Sequence, residues 1–164
     1  LQNAEVILYM TSPETQNQAP VTEPFNITAS ERDTAVGIRM AKALQPKAVI
    51  PVPLAIKNIQ TGEADKPGTD LVFRYHNDGH PNQTCAFLVA NLFYAAITGK
   101  SPEGLTFNSV TETKLKKGKD PDGGAPTVVF NNEEKSYLQR MAYKSVLEFN
   151  RGSENEKRQK ADRH

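Results

Sequence analysis

Two of the three histidines lie in one polar loop, Tyr75 to Asn82, with the sequence YHNDGHPN. His80 closely follows Asn77 and Asp78, and a carboxylate or amide beside an imidazole can fix its tautomer and orientation. The loop lies between an extended segment and the start of a helix, where open α/β sheets place reactive groups. The pattern indicates His80 as a general base oriented by Asn77 or Asp78. The alternative is a polar loop in which His80 only caps the helix or faces solvent.

A metal site is a second interpretation of the same loop. His76, Asp78 and His80 alternate, and alternate residues of an extended segment point the same way, so their N and O atoms could hold a divalent ion. However, Gly79 and Pro81 disfavour a regular strand. Because no further cluster of ligands is evident in the sequence, we expect neither a metal site nor a cofactor.

Composition excludes several classes of partner. The chain has 164 residues and a formal net charge of +1, with 37% hydrophobic residues, which suits one soluble domain with a real core. Its mixed charges predict no nucleic-acid partner and no attraction to an anionic membrane. The longest apolar stretch, Ala86 to Ile97, is too short to span a membrane. A single cysteine, Cys85, permits no internal disulfide and leaves the redox compartment open.

The first half of the chain has the pattern of a parallel α/β sheet. Ala4–Thr11 and Lys47–Pro53 are continuous apolar runs typical of buried strands, and Glu14–Pro24 reads as a surface loop. Between the strands, Thr28 and Glu31 form the signature of a capping box at the start of a helix. The apolar stripe of that helix consists of Ala35, Ile38, Met40, Ala41 and Leu44. Strand, helix and strand in this order predict that the two strands are parallel neighbours.

The second half is predicted to hold two further helices. One is capped by Thr84, is apolar nearly all round and ends at Gly99; the other begins at a capping Asn132. The stripe of the last helix consists of Leu138, Met141, Ala142, Ser145, Val146 and Phe149. Residues 100–131, rich in Lys, Gly, Asp and Pro, are expected to be a linker or loose excursion, and residues 151–164 a solvated tail. Residues 56–70 are too mixed to assign.

Several sequence phrases resemble one family. The run DGHPN followed by AFLVANLFYAAITGKSP resembles the C-terminal block of SGNH (GDSL-type) hydrolases, especially a bacterial subgroup with an Asp-x-x-His-Pro element before a helix that ends FYA-x-x-TG-x-SP. AEVILYMT, ITAS, AVIPVPLA and EEKSYLQRMAYKSVLEF resemble further elements in the same order, so the resemblance covers most of residues 4–149. It implies an α/β chain that forms the C-terminal half of a flavodoxin-like, three-layer fold over residues 1–99, with residues 132–150 as a docking helix.

The resemblance also implies roles for individual residues. His80 matches the catalytic base of the family, and Asn77 occupies the position of its acid, three residues earlier. An Asn carbonyl can orient an imidazole but cannot offset the charge of an imidazolium. Asp78 is one residue out of register and could take the role if the loop bends differently. Cys85 stands where the family commonly has a glycine.

Part of the family's machinery is absent from the sequence. The chain contains no Gly-Asp-Ser and no Gly-x-Asn-Asp, the blocks that carry the nucleophile and the oxyanion donors. We therefore expect an ester hydrolase, acting on a carbohydrate O-acetyl group or a lipid ester, that is completed by a missing N-terminal half or another chain. The start at Leu-Gln-Asn, without Met, agrees with a lost front end. The family resemblance favours a secreted or periplasmic location. The alternative is a catalytically degenerate SGNH-like module for binding or structure.

Overall fold

The structure, a computed structural model, describes residues 5–11, 13–15, 24–62 and 71–161, with side chains as far as Glu154. It is a mixed α/β structure. The elements in chain order are β1 (Ile7–Met10), α1 (Ile27–Leu44), β2 (Ala48–Pro51), α2 (Val52–Thr61), α3 (Gln83–Thr98), β3 (Ser109–Thr111), β4 (Thr127–Val129) and α4 (Asn132–Ala161). Within the described ranges, no helix has the length and apolar character needed to cross a membrane.

The parallel pair predicted from the strand–helix–strand pattern is confirmed. β1 pairs with β2 in parallel, with Ile7 opposite Ala48. The second strand is shorter than predicted, because Val52 and Pro53 belong to α2. A proline near the start of a helix removes no intrahelical hydrogen bond, since the first N–H groups of a helix have no partner within it. The surface loop expected over Glu14–Pro24 lies mostly outside the described residues, as do residues 63–70.

The start of α1 differs from the prediction. The helix begins at Ile27, so Thr28 and Glu31 lie inside it and the expected capping box does not form. Asn26 is the N-cap with a left-handed backbone, and its side chain makes no capping bond. The Asn26 amide instead donates to the carbonyl of Glu14 at 3.2 Å. A tertiary contact thus takes the place of the local cap.

One face of α1 lies directly on the parallel pair. A Cβ atom at Gly37 would overlap the side chain of Met10, so the absence of a side chain lets the helix approach β1 closely. Ala41 is buried, whereas three members of the predicted stripe are exposed: Ala35, Met40 and Leu44. The stripe prediction is therefore correct for only part of this helix.

The buried helix α3 is confirmed, with a different cap. Asn82 is the N-cap, and its side-chain oxygen accepts from the backbone N–H of Cys85 at 3.1 Å, while Thr84 lies inside the helix. The C-terminal end is as predicted, because Gly99 has a left-handed φ of 70° and its N–H donates to Ala95. The fully buried side chains of α3 include Cys85, Phe87, Leu88, Asn91 and Leu92.

The last helix α4 closes the core. Asn131, rather than Asn132, is its cap: the Asn131 side chain accepts from the N–H of Glu134, and the Glu134 carboxylate accepts from the N–H of Asn131. All six residues of the predicted stripe are buried. The helical backbone continues to Ala161, well into residues 151–164, which were expected to be a solvated tail.

Residues 100–131, expected to be a linker or loose excursion, contain the antiparallel strands β3 and β4. The ring of Phe130 lies 4.4 Å from that of Phe87, and the ring of Phe107 lies 4.9 Å from it. Val110 and Val128 also pack against the core. The Lys, Gly, Asp and Pro residues that suggested a linker lie mainly between the strands. We call residues 109–129 the hairpin segment.

Candidate functional site

The histidine loop, Tyr75 to Asn82, lies at the carboxyl end of β1. Arg74, just before the loop, donates through Nε and Nη2 to the carbonyl of Pro13, three residues beyond the strand, at 3.1 and 3.0 Å. The backbone N–H of Tyr75 donates to the carbonyl of His80 at 2.9 Å and closes the loop at its base. The loop therefore lies at the edge of the parallel pair where open α/β sheets place reactive groups.

Asp78 and His80 form a side-chain pair within this loop. Nδ1 of His80 lies 3.3 Å from Oδ2 of Asp78, and the other carboxylate oxygen accepts from the backbone N–H of His80 at 2.9 Å. Gly79 permits this tight arrangement with a φ of 69°. The His80 side chain is 71% exposed and that of Asp78 is 27% exposed. A carboxylate on the Nδ1 side favours a proton on that nitrogen and leaves Nε2 to act as a base.

Asn77 does not join this pair. Its backbone N–H donates to Asp122 at 2.8 Å, and among the described residues no hydrogen bond links its side chain to His80. The reason is the turn from Tyr75 to Gly79, in which the N–H of Gly79 donates to the carbonyl of Tyr75 at 3.0 Å. Of the three residues predicted for the site, the structure brings Asp78 and His80 together and leaves Asn77 apart.

Comparison with protein-family models, with curated proteins and with solved structures finds no match for this chain. The resemblance to SGNH hydrolases therefore depends on sequence phrases and on the order of elements. The geometry of the histidine loop has to be interpreted from its own contacts.

The hairpin segment contacts the histidine loop and the residue that follows it. The carboxylate of Asp122 accepts from the backbone N–H groups of His76 and Asn77 at 2.9 and 2.8 Å. The hydroxyl of Tyr75 donates to Glu112 at 3.0 Å. Just after the loop, the amide of Gln83 donates to the carbonyl of Pro126 at 3.1 Å. Sequence reasoning missed these contacts because they join residues 37 to 46 positions apart, with no local pattern to reveal them.

Within the described ranges, no three His, Cys, Asp or Glu side chains form a group that could hold a metal ion. Cys85 is not part of a disulfide, and its side chain is buried, with only 1% exposed. A cavity of about 560 Å³, lined by Lys42, Lys47 and Phe149 among others, lies near the amino end of β2. The histidine loop lies at the other end of the strands.

Tyr75 and Glu112 have opposite pKa shifts. Burial, followed by the hydrogen bond to the Glu112 carboxylate, raises the pKa of Tyr75 well above its usual value. Hydrogen bonds lower the pKa of Glu112. The largest effect comes from the backbone N–H of Lys114, and the second comes from the Tyr75 hydroxyl. The contact between the two residues therefore favours a neutral phenol and an ionised carboxylate.

This contact predicts a stability that is sensitive to alkali. Above pH 10 the unfolded chain loses the Tyr75 proton while the folded chain retains it, so unfolding is favoured by up to about 1.4 kcal/mol per pH unit. Tyr75→Phe should cost about 1 kcal/mol at pH 7, through the lost hydrogen bond, and should reduce the decline between pH 9 and 11. Urea unfolding at each pH measures both effects. Identical pH profiles for the two proteins would contradict the prediction.

Proposed function

We propose that this chain is the base-bearing C-terminal portion of an SGNH-type serine ester hydrolase, with a carbohydrate O-acetyl group or a lipid ester as substrate. The observation that carries the proposal is the Asp78–His80 pair at the carboxyl end of β1. The nucleophile and the oxyanion donors come from an N-terminal half or from another chain. Support for the family comes from the DGHPN phrase and the helix that follows it.

His80 performs the proton transfers in this proposal. Asp78 orients the imidazole through Nδ1, so that Nε2 removes the proton from a serine hydroxyl as the oxygen attacks the ester carbonyl. The resulting imidazolium lies beside the Asp78 carboxylate, which offsets its charge. The imidazolium then gives its proton to the alcohol as the ester C–O bond breaks, which leaves an acyl-serine. His80 next removes a proton from a water molecule that attacks the acyl-serine, and returns it to the serine oxygen as the acid is released. Catalytic hydrogen bonds commonly tighten once substrate binds, which suits the 3.3 Å separation of the pair.

The exposed edge of β1 supports completion by another polypeptide. β1 pairs with β2 on one side, and no strand in the described ranges pairs with its other side. Ile7 and Tyr9 of this edge strand are exposed. Parallel sheets are normally covered on both faces, and an open apolar edge invites pairing with another strand.

The neighbouring helix α1 has an exposed apolar surface next to the same edge. Val36 and Met40 of α1, together with Tyr9 and Met10 of β1, line a groove of about 220 Å³. Leu44, one turn beyond Met40, is also exposed. A polypeptide that adds a strand beside β1 and a helix against α1 would cover both surfaces, as a larger parallel sheet requires.

A degenerate SGNH-like module for binding or structure is the second candidate. Asn77 at the position of the family's acid and Cys85 at the position of its glycine favour it. The Asp78–His80 contact weakens the argument from Asn77, since a carboxylate lies beside the histidine. The two candidates differ in whether the full-length gene product carries a nucleophilic serine.

Adjacent substitutions in the full-length gene product test the hydrolase proposal. With p-nitrophenyl acetate as substrate, Asp78→Asn should lower kcat by up to about 10⁴-fold, the effect of the equivalent change in serine proteases. Asn77→Asp should be neutral or mildly harmful, because it adds a second negative charge beside Asp78. Both variants keep the size of the side chain, so each is a steric control for the other.

Three other outcomes have distinct meanings. A higher kcat in Asn77→Asp, with no effect of Asp78→Asn, would place the acid at position 77. If the intact mass of the gene product equals that of the 164-residue chain, and it does not hydrolyse p-nitrophenyl acetate, the degenerate module is favoured. Hydrolysis that is unaffected by either substitution would show that the loop does not carry the base.

A further inference from the structure

Asp122 makes the central contact between the hairpin segment and the histidine loop. Its Oδ2 accepts from the N–H of His76 at 2.9 Å, and its Oδ1 accepts from the N–H of Asn77 at 2.8 Å. Hydrogen bonds from an amide to an ionised carboxylate are about twice as strong as those between neutral groups. The two bonds together fix the orientation of two consecutive peptide units.

These two peptide units are separated by only one further peptide from the pair that would do chemistry. Asp78 follows Asn77 directly and reaches His80 through both of its carboxylate oxygens. A rotation of the peptide between His76 and Asn77 would displace the Cα of Asn77, and with it Asp78, and would carry the Asp78 carboxylate away from the imidazole. The direction of the Asp78 carboxylate thus depends on how firmly the preceding backbone is held.

Asp122 is itself held in a tight turn. The side chain of Asp120 accepts from the N–H groups of Asp122 and Gly124 at 3.0 and 2.7 Å. The N–H of Gly123 donates to the carbonyl of Asp120 at 3.0 Å, and Gly123 has a φ of 83°. The contacts of Glu112 and Pro126 with the region of the loop hold the two ends of the segment. The segment therefore presents the Asp122 carboxylate at a defined position.

We propose that Asp122 is a positioning residue, which sets the geometry of the Asp78–His80 pair by fixing the backbone of His76 and Asn77. This inference rests on the proposed function for its effect on catalysis, but its effect on the histidine can be measured without any substrate. The hairpin segment thereby takes part in the site, although no contact described above joins one of its residues to the His80 imidazole.

The first experiment uses NMR of the 164-residue chain. Asp122→Asn replaces one acceptor oxygen by an NH₂ group that faces an N–H, so amide exchange at His76 and Asn77 should accelerate about tenfold or more. The ring ¹⁵N shifts of His80 should move from a single Nδ1–H tautomer toward a mixture. Glu103→Gln, which removes the same charge from an exposed turn after α3, should change neither measurement.

The second experiment measures p-nitrophenyl acetate hydrolysis by the full-length gene product. Asp122→Asn should lower kcat about tenfold with little change in KM, and Glu103→Gln should leave both unchanged. Asp120→Asn, which loosens the turn that holds Asp122, should act in the same direction with a smaller effect. It serves as a second probe if Asp122→Asn does not fold.

The outcomes separate the two proposals. Faster amide exchange with an unchanged His80 tautomer and unchanged kcat would make Asp122 a merely structural residue and overturn the inference. A changed tautomer in a protein that hydrolyses no ester would support the positioning role and reject the proposed function. The inference is wrong, whatever the activity, if Asp120→Asn and Asp122→Asn both leave amide exchange at His76 and Asn77 and the tautomer of His80 unchanged.

Discussion

His80→Ala should lower kcat for p-nitrophenyl acetate by about 10²- to 10⁴-fold in the full-length gene product, the usual contribution of a general base. Without the imidazole, no group of the histidine loop takes the proton of the attacking serine. The fold should remain, because the His80 side chain is mostly exposed and fills no part of the core. Steady-state kinetics and a thermal unfolding curve measure the two effects on the same sample.

A matched control is available in the same loop. His76→Ala removes the same side chain four residues earlier, and the contact of His76 with Asp122 is made by its backbone N–H, which the substitution keeps. We expect activity within a few fold of the unaltered protein. Labelling with a fluorophosphonate, which reacts with activated serines, should be lost in His80→Ala and kept in His76→Ala. Equal activity of both variants would reject His80 as the base.

Removal of residues 132–164 should abolish cooperative folding of the chain. The buried residues of α4 include Leu138, Met141, Ala142, Val146 and Phe149. Burial of a large apolar side chain stabilises a protein by roughly 1.5 to 3 kcal/mol, and whole domains have only about 5 to 15 kcal/mol. Loss of this helix removes a share of the core comparable to the total stability. Urea unfolding followed by circular dichroism should show no sigmoidal transition.

A shorter deletion is the control for this prediction. Removal of residues 155–164, whose sequence NEKRQKADRH is almost entirely polar, should change the free energy of unfolding by about 0.5 kcal/mol or less. The deletion keeps Phe149 and the helical turn that follows it. A cooperative transition in the chain that ends at residue 131 would show that α4 is dispensable for the core.

Elements with a long, regular apolar pattern were predictable from the sequence. The parallel arrangement of β1 and β2 followed from two continuous apolar runs separated by a helix, and the stripe of α4 followed from spacings of three and four. The end of α3 followed from Gly99, since glycine adopts the required left-handed backbone without strain. In each case the information lies in the element itself or in the elements next to it along the chain.

Elements whose information is not local were missed. A helix directly after Pro51 was not predicted, because Lys47–Pro53 has the continuous apolar pattern of one buried strand. The caps at Asn82 and Asn131 each differ by one or two residues from the predicted ones, since several polar residues compete at each helix start. The strands of the hairpin segment are three residues long and depend on packing against Phe87.

For the candidate site, the sequence indicates which residues to consider but not their geometry. The sequence placed Asn77, Asp78 and His80 in one loop, and left open which of the first two lies against the imidazole. That choice depends on the turn of the backbone, and two N–H groups of the turn are bound by Asp122, 45 positions away from Asn77. Only the tertiary structure brings this residue to the loop.

The position of α4 also determines when the protein can fold during its synthesis. This last helix packs against α1, α2, α3 and β2, so the stretch of about 150 residues from β1 to Phe149 must leave the ribosome before the core can close. A chain of this length takes roughly 10 to 30 seconds to translate at about 5 to 20 residues per second. Throughout that time the apolar faces of the earlier elements lack their last cover, which makes the nascent chain a substrate for chaperones.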